Sequence, residues 1–213
     1  MKRVISIPVF IVAGSLAVHL IAGSVLFAQT PQAAADTTAA QQEAAAPPPA
    51  TAPAYLGVKV IEKPDGSKVV LGNVVREDII SNIAGWDAEY FEYAPDETIL
   101  GELGGRLEGI SLVVVLGTWC SDSHEQVPRL WKVLDGIGFP EESMKTFAVE
   151  RAKAVADTVL TQELVDWSKS VRDYYAIKAV ESIIMYRGGT ELGRIAEAPA
   201  KSIEADLLDI LKR

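Results

Sequence analysis

The chain opens on an apolar run. After Met1-Lys2-Arg3, residues 4–28 (VISIPVFIVAGSLAVHLIAGSVLFA) carry no charged side chain apart from a possible charge on His19. A short basic start followed by such a run is the pattern of an export signal cut after Ala28. The run exceeds the ~7–15 residues of a usual signal core and reaches the ~20 that cross a bilayer, so an uncleaved membrane anchor is the alternative. In either case Lys2 and Arg3 stay cytoplasmic and the rest is exported. Residues 29–54 (QTPQAAADTTAAQQEAAAPPPATAPA) then offer no aromatic, Leu, Ile or Val to bury. This Ala/Pro-rich stretch reads as a disordered linker.

From Tyr55 onward, apolar positions recur with structural periods. Tyr55–Ile61 and Lys68–Leu71 flank Pro64-Asp65-Gly66, a hairpin signal. Arg76–Ile83 reads as a short helix. Asp96–Leu107 places Ile99, Leu100, Leu103 and Leu107 at helical spacing, against three interrupting glycines. Ile110–Leu116 (ISLVVVL) is continuously apolar, as a central strand covered on both faces requires. A helix over Ser123–Leu134 puts Val127, Leu130, Trp131 and Leu134 on one side. Thr146–Val149 is a short strand. Thr161–Tyr175 is a helix with Leu164, Trp167, Val171 and Tyr174 inward. Ser182–Tyr186 and Glu191–Ile195 form a second hairpin around Arg187-Gly188-Gly189, and Ser202–Leu211 is an amphipathic helix capped by Ser202. Alternating strands and helices of this kind predict an α/β fold.

Composition narrows the function. Apolar residues make up 49% of the 213, enough for a core and too many for a wholly disordered chain. A formal net charge of −9 argues against nucleic acid as a partner. One cysteine, Cys120, and two distant histidines, His19 and His124, leave no disulfide framework and no metal constellation. No cofactor is expected.

The candidate chemistry lies in Gly117-Thr118-Trp119-Cys120-Ser121-Asp122-Ser123, where the apolar strand ends and a helix begins. Unpaired backbone N–H groups and the helix dipole favour a thiolate at such a position. Ser121, Asp122 and Ser123 are candidate caps, and Asp122 with Glu125, or Ser123 with Gln126, has capping-box spacing. His124 reads as a solvated helix residue rather than a base. Trp86, Tyr90, Phe91 and Tyr93 read as an aromatic cluster packed into the core.

Trp119-Cys120-x-x-Ser123 after an apolar strand resembles the Trp-Cys-x-x-Cys site of the thioredoxin superfamily. The register continues: Pro128 matches the proline in the family's active-site helix. Tyr175-Ala176-Ile177-Lys178-Ala179-Val180 resembles the run into the cis-proline loop. Ile183-Ile184-Met185-Tyr186-Arg187-Gly188-Gly189 resembles the strand and turn after it. The resemblance spans residues 110–213. It implies a thioredoxin-like three-layer α/β sandwich, with a central mixed sheet of four or five strands and helices on both faces. Residues 55–109 would be an N-terminal extension packed on that core.

Three departures qualify what the resemblance implies. Ser123 replaces the resolving cysteine, so Cys120 can attack a disulfide but cannot release the product itself. Glu181-Ser182 stands in place of cis-Pro-Thr. A cis bond ahead of a non-proline residue costs ~2.5–4 kcal/mol, so a trans loop is expected, with the Glu181 carboxylate near the sulfur. Val114 occupies the place of the family's buried aspartate. The implied protein is an exported bacterial monothiol thioredoxin-like protein of the periplasm or cell envelope. Its partners are exported client proteins or small thiols. Cys120 would be the reacting group, Trp119 would shape the contact surface, Ser123 would support the thiolate and helix start, and Val180, Glu181 and Ser182 would face the client. A redox-inactive protein-interaction module and a one-cysteine oxidation sensor are the alternatives.

Overall fold

The computed structural model describes residues 51–151 and 160–213. The apolar run 4–28 and nearly all of the linker lie outside them. Among the described residues no helix is long and apolar enough to cross a membrane. The described residues fall within one compact unit, Ala44–Arg213.

Six strands form one mixed sheet: β1 (Lys59–Glu62), β2 (Lys68–Asn73), β3 (Ile110–Leu116), β4 (Met144–Ala148), β5 (Ser182–Arg187) and β6 (Thr190–Ala196), in spatial order β1-β2-β4-β3-β5-β6. Only β3 and β4 run parallel, with Val114 opposite Thr146. The other neighbours are antiparallel. The helices are α1 (Arg76–Ile80), α2 (Ala88–Glu92), α3 (Glu97–Gly104), α4 (Ser121–Gly136), α5 (Gln162–Tyr174) and α6 (Ile203–Leu211), with a 3-10 turn at Glu141–Ser143.

The unbroken apolar run of β3 has a direct cause. Leu112, Val114 and Leu116 point to one face, where α1, α3, α4 and α6 supply Ile79, Leu103, Val127, Leu130, Ile203 and Leu207. Val113 and Val115 point to the other, where α5 supplies Trp167 and Val171. A strand with helices on both sides has no polar face to show.

Two expectations are corrected. The sheet has six strands, not four or five, because the N-terminal hairpin joins it. Lys63 N–H donates to Ser67 O (2.7 Å) to close the hairpin turn, where Gly66 sits at φ +80°. β2 then pairs with β4 through Gly72↔Ala148 and Asn73↔Phe147. Phe91 keeps an edge-on contact with Tyr90 (5.3 Å) but does not pack into the core: Trp86 is fully buried while Phe91 is 72% exposed. Helix α2 is a single short turn that buries no residue, so one side of it must face solvent.

Polar contacts tie residues 55–109 to the helical face. Arg76 makes a bidentate pair with Asp135 of α4 (2.9 and 3.0 Å) and lies over the rings of Tyr90 and Trp131. Glu204 of α6, nearly fully buried, accepts from Tyr93 OH at 2.7 Å and from the Asp96 backbone N–H at 3.2 Å.

Candidate functional site

Strand β3 delivers the chain to the site. Its last residue, Leu116, is followed by the buried turn Gly117-Thr118, then Trp119, and Cys120 is the N-cap residue of α4, with φ −97° and ψ 127°. Cys120 N–H donates to Gly117 O (2.9 Å), and Cys120 O accepts the first helical bond, from His124 N–H (3.0 Å). No side chain caps the helix start. That corrects the expected caps from Ser121, Asp122 and Ser123. A cysteine at the N-cap brings a sulfur, a weak acceptor, where an oxygen would normally stand.

Ser123 lies in the first turn of α4 and is fully buried. Its Oγ accepts from Gly117 N–H at 3.2 Å and so closes the strand-to-helix turn on itself. Thr118 ties the turn to the N-terminal hairpin: its Oγ1 accepts from the Val70 backbone N–H of β2 at 3.0 Å. Trp119 lies half-buried beside the thiol. Its Nε1 donates to Val149 O at 2.9 Å, and the Arg151 guanidinium stacks 4.7 Å above its ring. Gly117 makes room for that ring, since a Cβ there would come within 2.6 Å of it. Pro128 is buried in the middle of α4, leaving the His124 carbonyl without its usual donor four residues on. His124 is not simply solvated: its ring packs edge-on against Trp86 at 4.9 Å.

The second wall of the site is the loop into β5. Cys120 Sγ–H donates to Val180 O at 3.4 Å, across the gap between the two loops. The Val180–Glu181 peptide bond is cis, which corrects the expectation of a trans loop drawn from the missing proline. Contacts on both sides fix the chain path there. Ser182 Oγ–H donates to Ala179 O (2.8 Å), and Glu197 N–H donates to Glu181 O (2.9 Å) from the end of β6.

Glu181 is the electrostatic centre of the site. Its side chain is 0% exposed, and neither carboxyl oxygen has a hydrogen-bond partner. Burial, then the charges of Cys120, Asp122 and Glu125, push its pKa up to about 9. The group is therefore a neutral carboxylic acid at ordinary pH, not the carboxylate expected beside the sulfur.

The structure thus brings together Trp119, Cys120 and the Val180–Ser182 loop, with Ser123 behind the turn and Pro128 two helical turns away. Arg151 is an additional neighbour of the site that no motif announces. Among the described residues no group of three His, Cys, Asp or Glu is placed to hold a metal ion. A shallow cleft beside Trp119 is lined by Lys68, Asn82, Thr118 and Arg151 among others.

No protein-family description and no curated protein matches the chain. Among solved structures, a protein of unknown function from Pseudomonas aeruginosa aligns over 61% of this chain and 79% of its own, at 15% identity and a TM-score of 0.38. An HIV epitope-scaffold protein aligns over 65% of this chain and 96% of its own, at 12% identity and a TM-score of 0.31.

Proposed function

We propose that the chain is an exported thioredoxin-like protein of the bacterial cell envelope that carries out thiol–disulfide exchange through Cys120 alone. The observation that carries this reading is the meeting of Cys120 Sγ with Val180 O at 3.4 Å, at the start of a 16-residue helix. The strand-to-helix placement of Cys120 supports this reading alongside the residues that resemble the family. The Cys120 thiolate attacks one sulfur of a client disulfide. A new S–S bond joins Cys120 to that sulfur, and the other sulfur leaves as a thiolate and takes up a proton. With Ser123 in place of a second thiol, release falls to a client thiol, which gives isomerisation, or to a low-molecular-weight thiol. Trp119 and the Val180–Ser182 loop flank the sulfur and supply the contact surface. The basic start and apolar run of residues 1–28, and the linker after it, support export into an oxidising compartment where clients carry disulfides.

One observation favours a second reading, a redox-inactive interaction module: Ser123 Oγ is engaged with Gly117 N–H rather than with the sulfur. Incubating the purified full chain with oxidised glutathione separates the two. The redox reading expects one glutathione adduct by intact-mass spectrometry, absent in Cys120→Ser, and reversed by added thiol. No adduct on the folded chain, with adduct only after denaturation, leaves the binding module.

A further inference from the structure

Strand β2 is bonded to β4 only through Gly72 and Asn73, so its first half has no strand beside it on that side. In the antiparallel register with β1, Val60 lies opposite Val70 and Glu62 opposite Lys68. The Val70 N–H points away from β1, to Thr118 Oγ1. Backbone groups in such a ladder alternate in direction with a period of two, so Lys68 N–H and C=O point the same way as those of Val70. On that side the divergence of the strands opens the shallow cleft of about 670 Å³ that Lys68, Thr118 and Trp119 help to line. Its charges run against the chain as a whole, which carries −9. Lys63, Lys68 and Arg151 stand there against one carboxylate, Asp65. Asp65 is turned onto its own hairpin, accepting from Ser67 N–H (2.9 Å) and Ser67 Oγ–H (2.6 Å), with Lys63 acting on it as the opposing charge. Lys68 and Arg151 remain. Both are exposed, neither side chain forms an ion pair among the described residues, and the Arg151 guanidinium lies over the Trp119 ring.

We propose that this cleft docks an extended, acidic segment of the client protein, next to the cysteine that Cys120 attacks. The inference rests on the thiol–disulfide reading above and adds to it the kind of client sequence that the site selects. An extended segment can bond to Lys68 N–H and C=O as an added strand. Carboxylates along that segment meet the ammonium of Lys68 and the planar guanidinium of Arg151. A small molecule is normally held in a pocket that encloses most of it, whereas a shallow, open cleft suits a chain already held at its sulfur. Trp119 lines the cleft and immediately precedes Cys120, so the acidic stretch falls beside the reacting cysteine of the client. The exchange step is the one already given. The Cys120 thiolate attacks the client cysteine sulfur, a new S–S bond forms, and the other sulfur leaves as a thiolate and takes up a proton.

The test uses the full chain and short peptides with a central cysteine, carried as its mixed disulfide with mercaptoethanol and flanked by glutamates or by lysines. Cys120 takes the peptide, mercaptoethanol leaves as a thiolate, and intact-mass spectrometry follows the adduct. Long-range attraction to a chain of charge −9 favours the lysine peptide. The cleft predicts the opposite order, with the glutamate peptide ahead by about fivefold or more, since two part-exposed charge contacts each give a few-fold. Lys68→Gln with Arg151→Gln should abolish that lead. Lys169→Gln with Lys201→Gln removes as much charge outside the cleft and should keep it. Circular dichroism confirms that each variant is folded. A dye-labelled glutamate peptide with serine in place of cysteine, followed by fluorescence anisotropy, reads docking without chemistry and should lose affinity only in the cleft variant. No lead for the glutamate peptide, or a lead that survives in the cleft variant, overturns the docking site while the exchange function stands. If oxidised glutathione shows the dependence on Lys68 and Arg151 and the peptides do not, the cleft serves a small anionic thiol and the client-segment proposal falls. A folded chain that takes no peptide at Cys120 overturns the exchange reading, and the anisotropy then decides the cleft by itself.

Discussion

Thr118 Oγ1 accepts the backbone N–H of Val70 at 3.0 Å, joining the turn before the cysteine to a strand 48 residues earlier. On its other edge β2 meets β4 only at Gly72 and Asn73. The Val70 N–H, deep in the core, would otherwise point at nothing. The hydroxyl thus stands in for a ladder bond that the divergence of the two strands leaves open.

Thr118→Val keeps the shape and removes the acceptor. The orphaned buried N–H should cost about 1–3 kcal/mol. A urea titration should show a lower midpoint with an unchanged slope, because the surface exposed on unfolding is the same. Thr118→Ser, which retains the oxygen, should recover most of the loss. Equal stability of Thr118→Val and wild type would mean that Val70 finds another partner.

Glu181 makes a second, thermodynamic prediction. The folded chain holds its proton up to about pH 9, whereas the unfolded chain releases it near the ordinary value of 4.5. Between those limits the native state binds one proton more, so stability falls as pH rises. The contribution is whole below pH 4.5 and gone above about 9. At neutral pH the penalty relative to acid is on the order of 3 kcal/mol. Wild type should therefore lose urea resistance between about pH 5 and pH 8, and Glu181→Gln should lose much less across the same range. Parallel pH curves for the two proteins would place the ionised carboxylate in the folded state.

Some of this was legible in the sequence and some was not, for physical reasons. Ile110–Leu116 coincides with β3 residue for residue, because a strand covered on both faces must be apolar throughout. Ser202 marks the start of α6 because its Oγ accepts from Ala205 N–H at 3.3 Å. Cys120 falls at a helix start because Gly117 to Ser123 is the break between two strong periodic patterns. Helix α2 was missed because a five-residue helix that buries nothing leaves no apolar stripe to read. The hairpin strands were legible, but their joining to the sheet rests on a pairing of two residues, far too short to leave a signal. Glu181 defeats sequence reading most fully. A glutamate argues for an exposed position, and no local rule announces one that is buried, unpartnered and preceded by a cis bond.

Gly117→Ala probes the seat of Trp119. The new Cβ would lie 2.6–2.9 Å from three atoms of the indole, closer than any packed pair tolerates. The ring has little freedom to retreat, held by Nε1 to Val149 O and covered by Arg151. Overpacking of this kind costs about 1–3 kcal/mol. The expected result is a lower thermal midpoint together with a red-shifted tryptophan emission, as Trp119 swings out from its half-buried seat. An unchanged spectrum with the stability loss would mean that the backbone turn moved instead.

Ser123→Cys asks whether the fold would accept the second thiol that the chain lacks. Residues three apart at a helix start lie about 5–6 Å from one another, and a disulfide spans Cα separations of about 4.4–6.8 Å. The side chain at 123 already points back to the turn, where Ser123 Oγ meets Gly117 N–H. Sulfur is a poorer acceptor for that N–H, so some stability should be lost, about 1 kcal/mol. In exchange, a mixed disulfide on Cys120 acquires an internal attacker. The glutathione adduct that accumulates on wild type should be transient in the variant and give way to an internal disulfide, seen as a two-hydrogen mass loss that tolerates alkylating agents. If the adduct instead persists as in wild type, the buried position of residue 123 is closed to the sulfur of Cys120. The single-thiol state would then be built into the packing behind the turn and not only into the choice of serine.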